Sequence, residues 1–202
     1  MTRRLALLLI CGLLAGCGDR VPRPGALGAD DIVLAFGDSL TYGTGAKPEE
    51  SYPAVLARLI NRPVVRSGVP GEKTDGGLQR IAGVLDEHRP KLVIVCLGGN
   101  DMLRKVDKTV TENNLRGILR EIRSRGLDAM LIGVPQPALV TSAPAFYEKL
   151  AKEFSIPYVA GVVTSVLYKP ELKSDPIHPN AEGYRRIAEA VATLLRNAGA
   201  VK

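Results

Sequence analysis

Short apolar runs alternate with amphipathic segments along residues 31–202. Residues 91–97 form the strongest run and are apolar nearly throughout, which is typical of a strand covered on both faces. Similar β-rich runs predict four further strands, over residues 32–36, 63–66, 129–134 and 156–160. Between the third and fourth strands, leucines and isoleucines spaced three and four positions apart predict an amphipathic helix over residues 109–125.

Other amphipathic segments lie between the remaining predicted strands. They predict helices over residues 51–60, 76–88 and 143–154, and a last helix that Asn180 caps and that runs to about residue 197. Strands that alternate with helices favour a parallel sheet with helices on both faces. We therefore expect an α/β fold, a three-layer α/β/α sandwich with a central parallel sheet of about five strands.

The first sixteen residues have the layout of a secretory signal. A short basic start is followed by apolar residues 5–14, a run shorter than the roughly 20 residues that a spanning helix needs. Residues 14–17 resemble the lipobox of bacterial lipoproteins, which implies a signal peptide over residues 1–16 and a diacylglycerol on Cys17. This resemblance implies an exported protein that is lipid-anchored to the bacterial cell envelope. An ordinary cleaved signal and an uncleaved hydrophobic anchor are the alternatives.

Composition separates a tether from the folded part. Residues 17–30 are rich in glycine, proline and charge and predict a flexible tether, followed by one domain over residues 31–202. The net charge of +6 comes without a basic cluster or an aromatic array, so we expect no nucleic-acid partner. The three cysteines lack metal-site spacing, and Cys96 is expected to be a packed thiol in a buried strand.

Four short polar blocks follow predicted strands or precede the last helix, at residues 37–40, 68–71, 98–101 and 175–180. Ser39 in the first block is a candidate nucleophile in a strand-to-loop turn, and a serine hydroxyl needs an adjacent base. Of the two histidines, His88 lies among charged residues at a helix end, which leaves His178 as the base. Asp175 precedes His178 by three residues and can orient its ring.

The same blocks supply candidate donors for an oxyanion. The backbone N–H groups of Ser39 and Gly71 and the side-chain amide of Asn100 are the three candidates. A glycine at position 71 allows a close backbone approach because no Cβ intervenes.

Taken together, these blocks resemble those of the SGNH, or GDSL, hydrolases. Ser39, Gly71, Asn100 and His178 match the four residues that name the family, and Asp175 matches the acid of its triad. The resemblance covers about residues 31–195 and is closest to the bacterial thioesterase I, lysophospholipase and arylesterase group. It implies a flavodoxin-like sandwich with no metal or organic cofactor. The chain departs from this group at Arg66, where asparagine is usual, and at Pro70, where serine is usual.

The leading hypothesis is a serine esterase that hydrolyses acyl esters or thioesters, such as lysophospholipids or aryl esters, through an acyl-enzyme. We expect a monomer that meets the membrane through Cys17. Apolar residues beside the blocks predict an acyl pocket, formed by Val69, Pro70, Met102, Leu139, Val140 and Ile177. The alternatives are an O-acetylesterase of extracellular carbohydrate or peptidoglycan and a non-catalytic envelope lipoprotein.

Overall fold

The computed structural model describes residues 22–136 and 142–202, which form a five-stranded sheet flanked by helices. The strands are β1 (Val33–Gly37), β2 (Val64–Gly68), β3 (Leu92–Cys96), β4 (Asp128–Ile132) and β5 (Tyr158–Val159). The helices are α1 (Ser39–Tyr42), α2 (Tyr52–Ile60), α3 (Thr74–His88), α4 (Gly99–Leu103), α5 (Lys108–Ser124), α6 (Ala145–Phe154), α7 (Val162–Tyr168) and α8 (Ala181–Asn197). Short 3-10 turns cover Pro48–Glu50 and Pro170–Leu172.

The sheet is parallel throughout, with the strand order β2-β1-β3-β4-β5. Every side chain of β1 and β3 is buried, as expected for central strands that helices cover on both faces. Cys96 at the end of β3 is a buried free thiol, which confirms its predicted packing role. The predicted α/β sandwich with about five parallel strands is also confirmed.

Two groups of helices cover the sheet. Helix α2 packs on α8, which also contacts α7, whereas α3 packs on α5 and α5 on α6. The apolar stripe predicted for α5 is fully buried. Helix α8 begins as predicted, because the Asn180 side chain accepts a hydrogen bond from the N–H of Gly183 at 3.0 Å.

The order of the strands determines where the site forms. The chain passes from β1 to its neighbour β2 and then crosses to the other side of β1 to form β3. This reversal opens a crevice beyond the carboxyl ends of β1 and β3, where ligands bind in open parallel sheets. The residues after β1, β2 and β3 therefore meet at one edge of the sheet.

The amino-terminal segment differs in part from the predicted tether. Residues 1–21, including the expected signal and Cys17, lie outside the described residues. Within residues 22–30, Leu27 is buried in the core and its N–H donates to the carbonyl of Ala200 at 2.8 Å. The N–H of Gly25 donates to the carboxylate of Asp128. Burial of one leucine and these two hydrogen bonds hold this stretch against the domain despite its polar composition.

Several short helices were not predicted. These are α1, α4 and α7, and each has seven residues or fewer. Such short helices give too little periodicity to be identified from sequence. Within the described ranges, no helix is long and apolar enough to cross a membrane.

Candidate active site

Ser39 lies at the start of α1, directly beyond the carboxyl end of β1. The carboxylate of Asp38 caps this single-turn helix by accepting a hydrogen bond from the N–H of Leu40 at 3.0 Å. Gly43 ends the helix in the left-handed conformation, with φ of 93°. The expected strand-to-loop turn is therefore a strand-to-helix turn, and it holds the Ser39 side chain half-buried at the crevice.

The structure brings Ser39, His178 and Asp175 into one hydrogen-bonded line. Ser39 Oγ lies 3.0 Å from His178 Nε2, and His178 Nδ1 lies 2.7 Å from Asp175 Oδ2. The second oxygen of Asp175 accepts the backbone N–H groups of Ile177 and His178, each at 2.8 Å. The three-residue spacing predicts a tight turn, and the Asp175 carboxylate stabilises that turn by accepting its backbone N–H groups.

The segment that carries Asp175 and His178 is held at both ends. The N–H of Ser174 donates to the carbonyl of His178 at 3.0 Å, and Lys173 and Pro179 form an antiparallel bridge. These bonds close the turn onto itself just before α8. The position of the imidazole therefore depends on local backbone bonds rather than on a long loop.

The pKa of Asp175 lies below its ordinary value. Partial burial raises this pKa, but the hydrogen bonds from the His178 ring and from the N–H groups of Ile177 and His178 together outweigh it. The acid stays ionised beside the ring and keeps the proton of the neutral imidazole on Nδ1. That tautomer leaves Nε2 free to accept the proton of Ser39.

Gly71 lies in the turn between β2 and α3 with φ of 78°, a conformation that favours glycine. Within the described residues, the backbone N–H groups of Ser39 and Gly71 donate to no protein acceptor. Both groups lie in residues that line the same cleft. They are therefore available to an anionic oxygen formed beside Ser39.

Asn100 lies in the first turn of α4, on the wall of the cleft. Gly98 precedes this helix with φ of 118°, and an added Cβ there would lie 2.5 Å from Tyr147 Oη. The amide nitrogen of Asn100 donates to the carbonyl of Glu72 at 3.0 Å and to the carboxylate of Asp38 at 3.3 Å. The structure therefore places Asn100 on the cleft wall, with its amide nitrogen hydrogen-bonded to Glu72 and Asp38, and its role as an oxyanion donor stays a prediction.

Asp38 is a buried carboxyl that the sequence analysis did not single out. Burial away from water raises the pKa of Asp38 to about 7, and the negative charges of Glu72 and Asp101 add to this effect. Hydrogen bonds from the N–H of Leu40 and the amide of Asn100 lower the pKa in part. Its two oxygens accept hydrogen bonds from α1 and from Asn100, so Asp38 connects the two sides of the crevice.

A cleft of about 610 Å³ opens beside Ser39. Its lining combines the residues above with aliphatic and aromatic side chains, namely Leu40, Pro70, Leu103, Val134, Leu167, Tyr168 and Ile177. Of the predicted acyl-pocket residues, Pro70 and Ile177 line the cleft, whereas Val69 and Met102 do not, and Leu139 and Val140 lie outside the described residues.

Five apolar cleft residues were not among the predicted pocket residues, namely Leu40, Leu103, Val134, Leu167 and Tyr168. Leu103 follows the third block directly and could have been identified from that position, whereas Leu167 and Tyr168 belong to the unpredicted helix α7. The other histidine, His88, is the last residue of α3 and lies 3.7 Å from a carboxylate oxygen of Glu87. It does not line the cleft.

Several proteins of known sequence or structure are similar to this chain. The GDSL-like Lipase/Acylhydrolase family matches residues 35–186 of the chain. Thioesterase 1/protease 1/lysophospholipase L1 of Escherichia coli K12 is 34% identical over 83% of this chain and 85% of its own length. An arylesterase of Vibrio mimicus is 32% identical, and the match covers 83% of this chain and 89% of the arylesterase. The crystal structure of AlinE4, an SGNH-hydrolase family esterase, is 34% identical with a TM-score of 0.66, over 86% and 98% of the two chains.

Proposed function

Because the chain belongs to the GDSL-like lipase/acylhydrolase family and is therefore a hydrolase of ester bonds, we propose that Ser39, His178 and Asp175 are its catalytic triad. The observation that carries the proposal is the continuous line of hydrogen bonds from Ser39 Oγ to Asp175 Oδ2. No other histidine lines the cleft among the described residues.

Acylation follows from the two distances around His178. Ser39 Oγ attacks the ester carbonyl carbon while His178 Nε2, 3.0 Å away, takes the hydroxyl proton. Asp175 stabilises the imidazolium through the 2.7 Å contact to Nδ1. When the tetrahedral intermediate collapses, Nε2 returns this proton to the leaving alkoxide or thiolate, and the acyl group stays on Ser39.

Deacylation repeats the same steps with water as the nucleophile. His178 Nε2 takes a proton from a water molecule while the water oxygen attacks the acyl carbon. His178 then gives that proton to Ser39 Oγ as the bond between Oγ and the acyl carbon breaks. The carboxylic acid leaves, and the free serine is restored. The turnover therefore needs one water for each ester and leaves every protein group in its starting protonation state.

The developing oxyanion is proposed to bind the N–H groups of Ser39 and Gly71 and the amide of Asn100. The two backbone groups are supported by their lack of protein acceptors in the described structure. Asn100 contributes when its 3.3 Å bond to Asp38, the longer of its two, gives way to the substrate oxygen. Loss of one such donor typically lowers kcat by about 10²–10³.

The substrate class follows from the cleft. Its apolar side chains favour an acyl chain beside Ser39, and its open side leaves room for the leaving group. The names of the relatives, thioesterase, lysophospholipase and arylesterase, support acyl esters and thioesters. We therefore propose acyl esters and thioesters with lipid or aryl leaving groups as substrates.

Location is proposed from the sequence alone. The basic start, the apolar run and the small residues before Cys17 support export and lipid attachment at Cys17, with the domain at the bacterial envelope. Radiolabelled palmitate supplied to producing cells should enter the chain, and Cys17→Ser should abolish the labelling while Cys96→Ser leaves it intact. Equal labelling of the Cys17→Ser chain would refute the anchor.

The activity is tested with p-nitrophenyl esters from acetate to palmitate, using the full chain in detergent. We expect turnover that rises toward medium chains and disappears in Ser39→Ala. A fluorophosphonate probe should label the wild-type chain and fail to label Ser39→Ala. Ser124→Ala is the matched control, because that exposed serine at the end of α5 bonds only to the carbonyl of Glu121.

Each outcome of this assay separates the hypotheses. Turnover of acetate alone would refute the acyl-chain substrate and favour a deacetylase of carbohydrate. Turnover that persists in Ser39→Ala would refute the triad. Failure of both probe and esters with the wild-type chain would refute the esterase and leave a binding lipoprotein.

A further inference from the structure

The turn that carries Gly71 is held from outside the cleft by one arginine. Residues 69–73 join β2 to α3, and the internal hydrogen bond of this turn runs from the N–H of Glu72 to the carbonyl of Val69, at 3.1 Å. With Pro70 and a left-handed Gly71, the turn has little regular structure of its own. Other contacts must therefore fix the direction of the Gly71 N–H.

Arg80 on α3 supplies those contacts. Its Nε and Nη2 each lie 2.7 Å from a carboxylate oxygen of Glu72, which makes a two-pronged ion pair. Its Nη1 donates to Ser67 Oγ at 2.8 Å, and Nη2 also donates to the carbonyls of Ser67 and Gly37 at 3.1 Å. One guanidinium thus binds the ends of β1 and β2 and the residue after Gly71.

Two further contacts fix the orientation of the Arg80 guanidinium. Its guanidinium carbon lies 3.9 Å from the centre of the Phe36 ring, so the plane stacks on the core. The Glu72 side chain is only 8% exposed, and burial without a partner would be costly. The planar fork matches a carboxylate in a way that a lysine cannot reproduce.

Glu72 extends this support to the second oxyanion donor. Its backbone carbonyl accepts the 3.0 Å hydrogen bond from the amide of Asn100, while its side chain binds Arg80. Movement of Glu72 would therefore displace both the turn of Gly71 and the amide of Asn100. Arg80 itself does not line the cleft.

We propose that Arg80, acting through Glu72, is a positioning residue that fixes the Gly71 and Asn100 donors for the oxyanion. This inference rests on the proposed function, since it assigns a role within that oxyanion site. Ground-state ester binding depends on the apolar cleft and not on these donors. Loss of Arg80 should therefore lower kcat and spare KM.

The test compares Arg80→Gln, Arg80→Lys and Glu72→Gln with wild type in the full chain. We expect kcat on a medium-chain ester to fall about 10- to 100-fold, with KM within about 2-fold, because small misplacement of catalytic groups has costs of this size. Affinity for a trifluoromethyl ketone, which forms a tetrahedral adduct on Ser39, should fall by the same factor as kcat. Arg80→Lys should not restore the rate.

Arg116→Gln is the matched control. Arg116 is a similarly buried arginine that pairs with Glu112 and Glu153 on α5 and α6, away from the cleft. It should lose thermal stability while keeping kcat and the affinity for the ketone. If Arg80→Gln changes only stability, as the control does, the inference is overturned while Ser39-dependent turnover in wild type keeps the proposed function. Absence of Ser39-dependent turnover in wild type would instead overturn both.

Discussion

Asp38→Asn should make the protein more stable at neutral pH, although Asp38 caps the helix of the proposed nucleophile. Burial raises the pKa of Asp38 from 3.8 to about 7 in the folded chain. The folded state therefore holds a proton that the unfolded chain releases between about pH 4 and pH 7. Since stability falls wherever the folded state binds more protons, this carboxyl weakens the fold as pH rises through that window.

The size of the effect follows from the same values. Each pH unit of the window changes the unfolding free energy by about 1.4 kcal/mol, so a rise from 3.8 to about 7 gives on the order of 4 kcal/mol. Asparagine carries no charge to bury, and it loses one hydrogen bond, a loss of about 1 kcal/mol at every pH. The variant should be slightly less stable than wild type at pH 4 and more stable above pH 7.

The assay is urea unfolding of wild type and Asp38→Asn at intervals from pH 4 to pH 8.5. Asp175→Asn is the control, because its difference in unfolding free energy from wild type should change with pH in the opposite direction. Folding lowers the pKa of Asp175, so the stabilisation that its carboxylate gives is lost as pH falls. Its side chain is 42% exposed, so solvent screens the effect and the slope should be shallow. A difference between Asp38→Asn and wild type that does not change with pH would refute the reasoning.

Three further substitutions test the cleft and its supports. Tyr168 lines the cleft and is 71% exposed, so Tyr168→Ala should raise KM for long-chain esters about 5- to 10-fold. Val110→Ala is the control and should leave KM unchanged, because Val110 is exposed on α5 and does not line the cleft. Gly98→Ala forces a side chain into a left-handed residue and against Tyr147 Oη at 2.5 Å, and should lower the unfolding free energy by roughly 2–4 kcal/mol in urea. Asn180→Ala removes the cap of α8 and should lower that free energy by about 1 kcal/mol, and an unchanged urea midpoint would contradict the role of the cap.

Features that depend on local pattern could be predicted from the sequence. The apolar run of β3, the stripe of α5 and the cap of α8 at Asn180 each follow from neighbouring residues. The candidate site could be assembled for a related reason. With two histidines in the chain, the base follows by elimination, and parallel topology brings the ends of successive strands to one edge.

Features that depend on tertiary contact could not be predicted. Residues 162–168 include three valines and one threonine, which favours a strand, yet they form α7 and pack on α8. Their contribution to the cleft, Leu167 and Tyr168, was therefore missed. Leu27 stands among glycines and prolines, and only the fold supplies the core that buries it.

The support behind the oxyanion donors was hidden for the same reason. Arg80 stands on a helix face where an arginine is ordinarily solvated, and nothing in its neighbours indicates the ring of Phe36 below it. The carboxylate of Glu72 lies eight positions away along the chain. The partnership exists only because α3 returns across the ends of β1 and β2.

Asp38 is expected to lower the stability of the fold at neutral pH while it orients groups around Ser39. Burial raises the pKa of Asp38 to about 7, so we expect this carboxyl to lower the unfolding free energy at neutral pH, yet it caps α1 and accepts a hydrogen bond from the amide of Asn100. If Asp38 directs Asn100 at the expense of stability, Asp38→Asn should raise the stability and lower the ester turnover, two properties that usually fall together. The variant should unfold at higher urea above pH 7 and should turn over esters more slowly, because the new amide donor faces the amide of Asn100. A variant that gained stability and kept full kcat would show that the carboxyl is not needed to direct Asn100.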